Sequence, residues 1–538
     1  MVQQSQLHHR RRIPSLGGFW RAMIFLFGIV TAWAATAHAD GDASRYLQDA
    51  KNLYGQGRYF TSARYAFAAQ VEDSALAPEA YSWMTSGLVK AGIYQASSYF
   101  FIRTLQSGNK GAIRRVLPQA EILMVRVGVD LLRKYLVKYT ALDDYDSASK
   151  STFLFALGKE NLLAGHEEKA ISYLNGVSRS SSLWPFALQL RGTAQAILGR
   201  SAPALQDFRS CADEANQYVS VVKAEENLGS DQIVRRLNAE ADDLKARCIA
   251  GEARTLYQME RFLEADQVYD KIQKHSLVWP DVLFEQAWNA FGKHEYNRTL
   301  GKLVSYKSPA LSFVFNSEVD VLSAQAYLAL CLYSDANEII NQFHEKYTKS
   351  GEEMKRFVES NANNLPAFYE AGRRALKDSL HTQVTFHRTM NRFIRGPYFR
   401  SLVAAEESSD HEREAIARFS TMNASEQKGG GFQGFLNQVL DWRQKTIRML
   451  GGAFVKNSLI DYHAILISDF EKISFIKLEM LSRSKDALMR KNSTSQNSRG
   501  RGNTTPSRRD DQYRWSFNGE FWNDELGDYV FALESECK

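Results

Sequence analysis

The sequence predicts an all-α protein in which helices pair into hairpins and the hairpins stack into a superhelix. The first observation is a repeat, because Gly158 and Gly165 return 34 residues later as Gly192 and Gly199. The second is the recurrence of apolar residues at i, i+3, i+4 and i+7, which is typical of amphipathic helices. The third is the low proline content, 10 of 538 residues, which disfavours a fold of many short strands and turns.

The 34-residue period is clearest in two stretches, 151–211 and 246–306. Small residues at fixed places in each copy let two helices approach closely. A hairpin of this kind cannot bury its apolar face alone, so successive hairpins stack. Two weaker copies are predicted at residues 42–107 and 317–347. An inserted helical segment is predicted at 212–245, and the array as a whole at 40–350.

Gly158, Ala170 and Leu174 place two small residues and one large apolar residue at the eighth, twentieth and twenty-fourth positions of the first clear copy. This pattern resembles the tetratricopeptide repeat. The resemblance implies a superhelix whose first helices line a concave protein-binding face. By register, the candidate partner-binding residues on that face are Phe155, Lys159, Gln189, Thr193, Arg254, Tyr257, Phe284, Trp288 and Phe291.

Three of these candidates form an aromatic stripe. Phe284, Trp288 and Phe291 stand at i, i+4 and i+7, so they lie on one face of a predicted helix. Aromatic and Arg side chains concentrate binding energy at interfaces. We therefore predict that the stripe, flanked by Arg254 and Tyr257, binds a partner segment. The alternative is that the stripe is covered by the next helix or by the protein's own C-terminal tail.

The N-terminus predicts export. Four arginines precede an apolar run of 14 residues at 22–35, and small residues at A-x-A spacing follow. This pattern is typical of a secretory signal peptide, so we expect residues 1–39 to be removed and the mature chain to begin at Asp40. The alternative is an uncleaved anchor, for which the apolar run is short. Without the leader, 63 basic residues face 61 acidic ones, which does not indicate a nucleic-acid partner.

The four cysteines contain no CxxC pair, which argues against zinc and thioredoxin-like sites. In an oxidising compartment they are able to form disulfides. If the insertion at 212–245 is a helical hairpin, its ends lie close together, so we predict a disulfide between Cys211 and Cys248 across its base. The alternative is two small buried residues. Cys331 is predicted to be a buried free thiol, and Cys537 receives no assignment.

The C-terminal half is predicted to be helical over residues 351–490. Within it, an apolar stripe predicts a long amphipathic helix at 454–489, packed back on residues 435–450, with a coiled-coil partner as the alternative. Residues 491–510 contain no large apolar side chain and are predicted to be a disordered linker. The aromatic tail at 511–538 follows.

The tail is predicted to dock on the rest of the protein. Asn518-Gly519 lies between alternating aromatic residues, which indicates a β-hairpin turn. A linker of about twenty residues gives a typical end separation of roughly 25 Å, enough for the tail to reach the repeats. The tail aromatics available for docking are Trp515, Phe517, Phe521 and Trp522.

A second set of motifs lies in the same half: Trp279-Pro280, Ser308-Pro309, Ala326-Tyr327, Cys331-Leu332-Tyr333, Asp335-Ala336, Phe343, Tyr347, Ile476-Lys477-Leu478-Glu479, and the run from Phe517 to Gly527. These motifs are similar to the periplasmic tetratricopeptide proteins of the bacterial adventurous gliding machinery. The similarity implies a periplasmic location, with association with the outer membrane as a further expectation.

The sequence contains no motif for catalysis or for cofactor binding. It has no GxxxxGK[ST], GxSxG or HExxH, and no ligand set for a metal. We therefore predict a secreted, non-catalytic scaffold that mediates protein–protein interactions in the bacterial envelope, as part of a motility or envelope-spanning complex. Its expected partners are other envelope proteins and its own tail, and peripheral attachment to a membrane is left open. The alternative is an enzyme or peptidoglycan-directed module with a site in the helical C-terminal half.

Overall fold

The computed structural model describes residues 40–217, 219–220, 231–377, 385–422, 431–491 and 519–537, and within these ranges every regular element is a helix. The predicted all-α superhelix is thus confirmed. The predicted signal peptide, the linker apart from Lys491, and the tail aromatics Trp515 and Phe517 lie outside the described residues. None of the described helices is long and apolar enough to cross a bilayer.

The helices are numbered in chain order. The first group is α1 Asp40–Gly55, α2 Tyr59–Glu72, α3 Ala77–Lys90, α4 Tyr94–Gln106, α5 Lys110–Val116, α6 Ala120–Val127, α7 Val129–Tyr139, α8 Lys150–Leu163, α9 Glu167–Leu174, α10 Trp184–Ile197 and α11 Ser201–Glu214. The second is α12 Asp231–Gln258, α13 Phe262–Tyr269, α14 Trp279–Gly292, α15 Tyr296–Val304, α16 Glu318–Ala329, α17 Tyr333–Ser360, α18 Leu365–Lys377, α19 Thr385–Ile394, α20 Pro397–Met422 and α21 Phe432–Lys491. Short 3₁₀ helices lie at Ser74–Leu76, Leu117–Gln119, Leu142–Asp144, Ser305–Lys307 and Pro309–Leu311.

Within the described residues, seven helix pairs form hairpins 1 to 7: α1/α2, α3/α4, α8/α9, α10/α11, α12/α13, α14/α15 and α16/α17. The turn of each hairpin contains one residue in the left-handed region, a conformation that often ends a helix. Glycine adopts it without a Cβ penalty. In chain order these residues are Gly57, Gly92, Gly165, Gly199, Glu260, His294 and Cys331, with φ between 57° and 78°.

The repeat period has a packing cause. A Cβ added to Gly158 would lie 2.5 Å from Leu174, and one added to Gly192 would lie 3.0 Å from Phe208. Each glycine in a first helix thus makes room for a large apolar side chain on the second helix of its hairpin. Hairpins 3 and 4 use the same pair of positions, so their first helices begin 34 residues apart, at Lys150 and Trp184.

Three departures from the period correct the predicted boundaries. Helices α5 to α7 do not follow the repeat and pack between hairpins 2 and 3. The insertion is not a self-contained hairpin, because its C-terminal part is continuous with the first helix of hairpin 5 in the 28-residue α12. The predicted array end at residue 350 lies inside α17, which continues to Ser360.

The 60-residue helix α21 joins the two ends of the array. At 1.5 Å per residue it is about 90 Å long. Near its start, the ring of Phe432 lies 5.2 Å from Phe67 of hairpin 1. Further along, α21 packs on α16 to α20. The prediction that residues 454–489 fold back on 435–450 is therefore wrong, because both segments belong to one helix.

Two glycines mark the closest approach of another helix to α21. Gly451 and Gly452 suggest a helix break by composition, yet both lie within α21. A Cβ on Gly452 would lie 1.9 Å from the carbonyl oxygen of Leu365, and one on Gly451 would lie 2.4 Å from Tyr369. The glycines therefore let α18 approach the backbone of α21 closely.

From Ile460 onward, α21 exposes a row of large apolar side chains: Ile460, Ile467, Phe475, Leu478 and Leu481.

Candidate functional site: the inner face of hairpins 4 to 6

Of the two predicted binding residues of hairpin 3, Phe155 is buried and Lys159 is half-buried. Phe155 is only 3% exposed and belongs to the core that surrounds α4 to α7. Lys159 forms an ion pair with Asp130 of α7 at 2.9 Å, and the hydroxyl of Thr152 donates a hydrogen bond to Glu121 of α6 at 3.3 Å. Helices α6 and α7 thus cover this face of α8. The prediction of Phe155 as a partner contact is wrong, because residues 110–139 were not expected to leave the repeat.

The aromatic stripe divides into a buried and a half-buried part. Phe284 is only 7% exposed and packs with Leu303, Val319 and Leu322, so hairpin 7 covers it. Phe284 is therefore a core residue and not a partner contact. For this residue the alternative applies, in which the next helix covers the stripe. Trp288 is half-buried, and its ring lies 5.7 Å from that of Phe291, which is also half-buried.

Five of the remaining candidates lie on the first helices of hairpins 4 to 6, and we call them, together with Ile197, the inner face; Phe291 is left out because it packs in one cluster with Phe531 from the end of the chain. Gln189, Thr193, Tyr257 and Trp288 are half-buried, whereas the side chain of Arg254 is 52% exposed. Ile197 is 57% exposed. Gln189 keeps contact with solvent where its counterpart in hairpin 3, Phe155, is buried, whereas Thr193 and its counterpart Lys159 are both half-buried. The members of the inner face are Gln189, Thr193, Ile197, Arg254, Tyr257 and Trp288.

Arg254 links two successive hairpins. Its Nε and Nη2 donate hydrogen bonds to the two carboxylate oxygens of Glu285 at 2.9 and 2.7 Å. The hydroxyl of Tyr269 donates to the same carboxylate at 3.1 Å. Burial, and then the charge of Glu285, raise the pKa of Tyr269 above its usual range, so this hydroxyl stays a donor. The planar pair holds the guanidinium in one orientation, and sequence reasoning missed Glu285.

Apolar side chains extend the inner face at the turns of the hairpins. Leu163 and Ile197 occupy equivalent positions 34 residues apart and are 45% and 57% exposed. Met259 and Leu263, at the turn of hairpin 5, are also exposed. Exposed apolar side chains that recur at one level of a repeat array indicate an interaction surface. The period of the repeat is the signal by which Leu163 and Ile197 could be found in the sequence.

Two disulfides flank this region. Cys211 and Cys248 are bonded with Cα atoms 6.0 Å apart, the pairing that the spacing predicts, and the bond joins α11 to α12. Cys331 is bonded to Cys537, with Cα atoms 5.0 Å apart. The prediction of a free thiol at Cys331 is therefore wrong, because the end of the chain returns to the turn of hairpin 7.

The described part of the tail, residues 519–537, crosses hairpins 5 to 7, and we call it the strap. It contains no strand, so the predicted β-hairpin is absent from these residues. Asn297 of α15 binds it through its own carbonyl, which accepts from the N–H of Phe531 at 3.1 Å, and through its amide, which exchanges two hydrogen bonds with Leu533 at 2.9 and 3.0 Å. The strap therefore adds an extended chain to the outside of α15.

Gly301 makes the strap's path possible. A Cβ at this position would lie 1.8 Å from the carbonyl oxygen of Tyr529. Leu526 of the strap is buried between hairpins 5 and 6, whereas Trp522 is 60% exposed. Phe531 packs in the same cluster as Phe291, but no strap residue belongs to the cluster of Trp288. The strap thus shares a cluster with the aromatic stripe at Phe291, and it shares a second cluster with Tyr257 of the inner face.

The helical C-terminal half was the alternative location for a catalytic site. Three carboxylates are buried there, and each is bound by side chains or backbone groups that join helices. Within the described ranges, no group of three His, Cys, Asp or Glu side chains is placed to hold a metal ion. The carboxylates and their partners are Glu406 with Tyr369 and Arg448, Glu412 with the backbone N–H groups of Gln95 and Ala96, and Asp469 with Ser317 and Lys472.

No protein-family model and no curated protein matches this chain. Among solved structures, the chain is similar to the crystal structure of the P58(IPK) TPR domain, with 14% sequence identity and a TM-score of 0.19. The match covers 75% of this chain and 99% of that one. The hairpins, their turns and their glycine contacts define the fold.

Proposed function

We propose that the protein is a non-catalytic scaffold that binds a polypeptide segment along its inner face. The observation that carries this proposal is the accessibility of Arg254, Tyr257 and Trp288, which lie on the first helices of two successive hairpins, 5 and 6. Aromatic and Arg side chains supply much of the binding energy at interfaces. A helix or an extended segment laid across successive hairpins uses such side chains as anchors.

We further propose that the protein acts in the bacterial envelope, exported by its leader. Both disulfides support this location, because such bonds persist in oxidising compartments and are rare in the cytosol. The partners are then other envelope proteins. A role in a motility or envelope-spanning complex rests on the similarity of the C-terminal half to gliding-machinery proteins. N-terminal sequencing of the native protein tests export, and an intact leader would contradict cleavage before Asp40.

A photo-crosslinking residue at position 197 tests the binding face. We expect it to capture a partner in intact cells, and we expect Arg254→Ala and Tyr257→Ala to reduce capture several-fold. Arg209→Ala is the matched control, since Arg209 also pairs with a Glu of the next hairpin, Glu252, but lies on the second helix α11, outside the inner face. The melting temperatures of Arg254→Ala and Arg209→Ala should be alike.

Two outcomes of the crosslinking experiment would contradict the proposed binding face. One is that no adduct forms at position 197, whereas the crosslinking residue in place of Lys445, on α21, does capture a protein. The other is that Arg254→Ala and Tyr257→Ala leave capture unchanged, as the control Arg209→Ala should. Either result would place the partner surface elsewhere on the molecule.

A further inference from the structure

A cavity of about 490 Å³ lies between hairpins 6 and 7, beneath the loop of residues 305–316. One side is closed by Phe531 of the strap. No member of the inner face lines it. Its volume falls in the range of sites for small organic molecules, which lie preferentially between packed elements.

The walls of the cavity combine polar and apolar surface, and the apolar part is slightly larger. The side chains that form them come from α15, from the loop, from hairpin 7 and from the strap. The apolar part favours a ligand with a hydrocarbon or aromatic body, because burial of apolar surface drives binding. Six of these wall residues are Leu303, Val304, Val314, Val319, Ile339 and Phe531.

The polar groups at the cavity differ in whether their side chains already have hydrogen-bond partners. The carboxylate of Asp320 accepts hydrogen bonds from the hydroxyl of Tyr347 at 2.7 Å and from Lys346 at 3.2 Å, so its charge is matched. Lys307 and Ser312 also line the cavity. Neither has a side-chain hydrogen-bond or ion-pair partner among the described residues, and Lys307 is exposed. The groups left to bind a ligand are therefore a cation and a hydroxyl donor.

We propose that this cavity binds a small amphipathic anion, with its apolar body between hairpins 6 and 7 and its acid group at Lys307 and Ser312. A carboxylate or a sulfonate on a hydrocarbon or aromatic body has this chemistry. A hydrogen bond to a charged group is stronger than one between neutral groups. An acid is therefore bound more tightly than the alcohol with the same body.

The test uses 8-anilinonaphthalene-1-sulfonate as a fluorescent probe, with decanoate and decanol as competitors. We expect one probe per chain, and displacement by decanoate at a concentration at least tenfold below that of decanol. Lys307→Ala should abolish this preference for the acid, and Val314→Trp, in the loop, should prevent binding by filling the cavity. Lys271→Ala, an exposed lysine of hairpin 5, is the matched control and should bind as the wild type does.

Two results would overturn the proposal. Equal displacement by decanoate and decanol in the wild type would remove the role of the cation. Unchanged probe binding in Val314→Trp, at an unchanged melting temperature, would place the probe elsewhere, including on the exposed row of α21. If Val314→Trp melts early, Lys307→Glu decides, because it leaves the cavity volume intact and must weaken the acid more than the alcohol.

Discussion

Two regions of the molecule are held together in different ways. In the closed region, hairpins 1, 2 and 7 share their cores with α20 and α21, so residues distant in the chain pack together. In the open region, hairpins 4 to 6, no described residue of α10 to α15 belongs to either of those cores. The open region depends on contacts between neighbouring hairpins, on the Cys211–Cys248 disulfide and on the strap, which the second disulfide ties to the turn of hairpin 7.

The difference shows how a repeat array keeps a surface free. Hairpins stabilise one another through nearest neighbours, so an array tolerates an uncovered face as long as each interface is sufficient. Disulfides add stability without covering that face, because they act mainly on the unfolded chain. Long-range packing, as in the closed region, buries the surface that a partner would use. The accessible inner face lies where the covalent links are.

The largest expected effect comes from Arg443, which fastens α21 to hairpin 2. It is 1% exposed and donates hydrogen bonds to the side chain of Gln95 at 3.0 Å and to the carbonyl of Val127 at 2.9 Å. Arg443→Met leaves these acceptors and the buried Glu412 without their cation. We expect a loss of about 3–5 kcal/mol in the free energy of unfolding of the closed region.

Hydrogen exchange measures this loss region by region. Amides of α4 and α21 should exchange faster in Arg443→Met, whereas those of α10 to α15 should keep their protection. Lys445→Met is the control, since Lys445 is an exposed residue two positions further along the same helix. Equal loss of protection in both regions would mean that they unfold as one unit, and the comparison would fail.

The second prediction removes the disulfide inside the open region. Cys211 and Cys248 are 37 residues apart in the chain. In the chain-entropy model, replacing both by Ser costs about 3–4 kcal/mol. The loss should appear in α10 to α13 and spare α21, the reverse of the pattern for Arg443→Met. Cys331→Ser with Cys537→Ser is the comparison variant, and it should only release the strap from α15. A double variant at 211 and 248 that exchanges like the wild type would show that the disulfide is not needed.

The third prediction concerns pH. Burial raises the pKa of Glu412 to about 7, although backbone N–H groups of α4 and the charge of Arg443 act in the opposite direction. Because the folded pKa is above the unfolded value of 4.5, this stabilisation is complete below pH 4.5 and is lost as the pH rises through 7. The shift corresponds to about 3–4 kcal/mol.

Denaturant titrations between pH 4.5 and 8.5 test the shift. Glu412→Gln should have a flatter dependence than the wild type, because the titrating group is gone while one acceptor oxygen stays. Arg443 keeps its charge in this range, since burial lowers its pKa only to about 10. Parallel curves for the wild type and Glu412→Gln would contradict the raised pKa.

The smallest expected effects are in the turns of the open region. Glu260 and His294 adopt φ of 58° and 63°, where hairpins 1 to 4 have glycine. Glu260→Gly and His294→Gly should each stabilise by about 0.5–1 kcal/mol, because the left-handed conformation is strained for a residue with a Cβ. Gly199→Ala, the inverse change at an equivalent turn, should destabilise by about 1 kcal/mol. Melting temperatures that move in the same direction for both types of change would contradict this account.

Much of the fold could be predicted because its causes are local in the sequence. The small and large residues that pair inside a hairpin, such as Gly192 and Phe208, recur with the period of the chain itself. The turn glycines and the prolines near the start of α3, α10 and α14 act within a few residues. The pairing of Cys211 with Cys248 follows from the same register, since it spans a single insertion.

The tertiary structure alone decided which surfaces remain free. Phe155 and Phe284 have the spacing of groove residues, but α7 and hairpin 7 bury them. Cys331 is bonded to a cysteine 206 residues away in the chain. Helix α18 packs closely on α21 at Gly451 and Gly452. Such contacts join segments far apart in the chain, and no periodicity within either segment encodes them. Helix propensity and short-range packing act within a hairpin, so the hairpins and their register are encoded locally in the sequence. Long-range packing determines which parts of the array are covered.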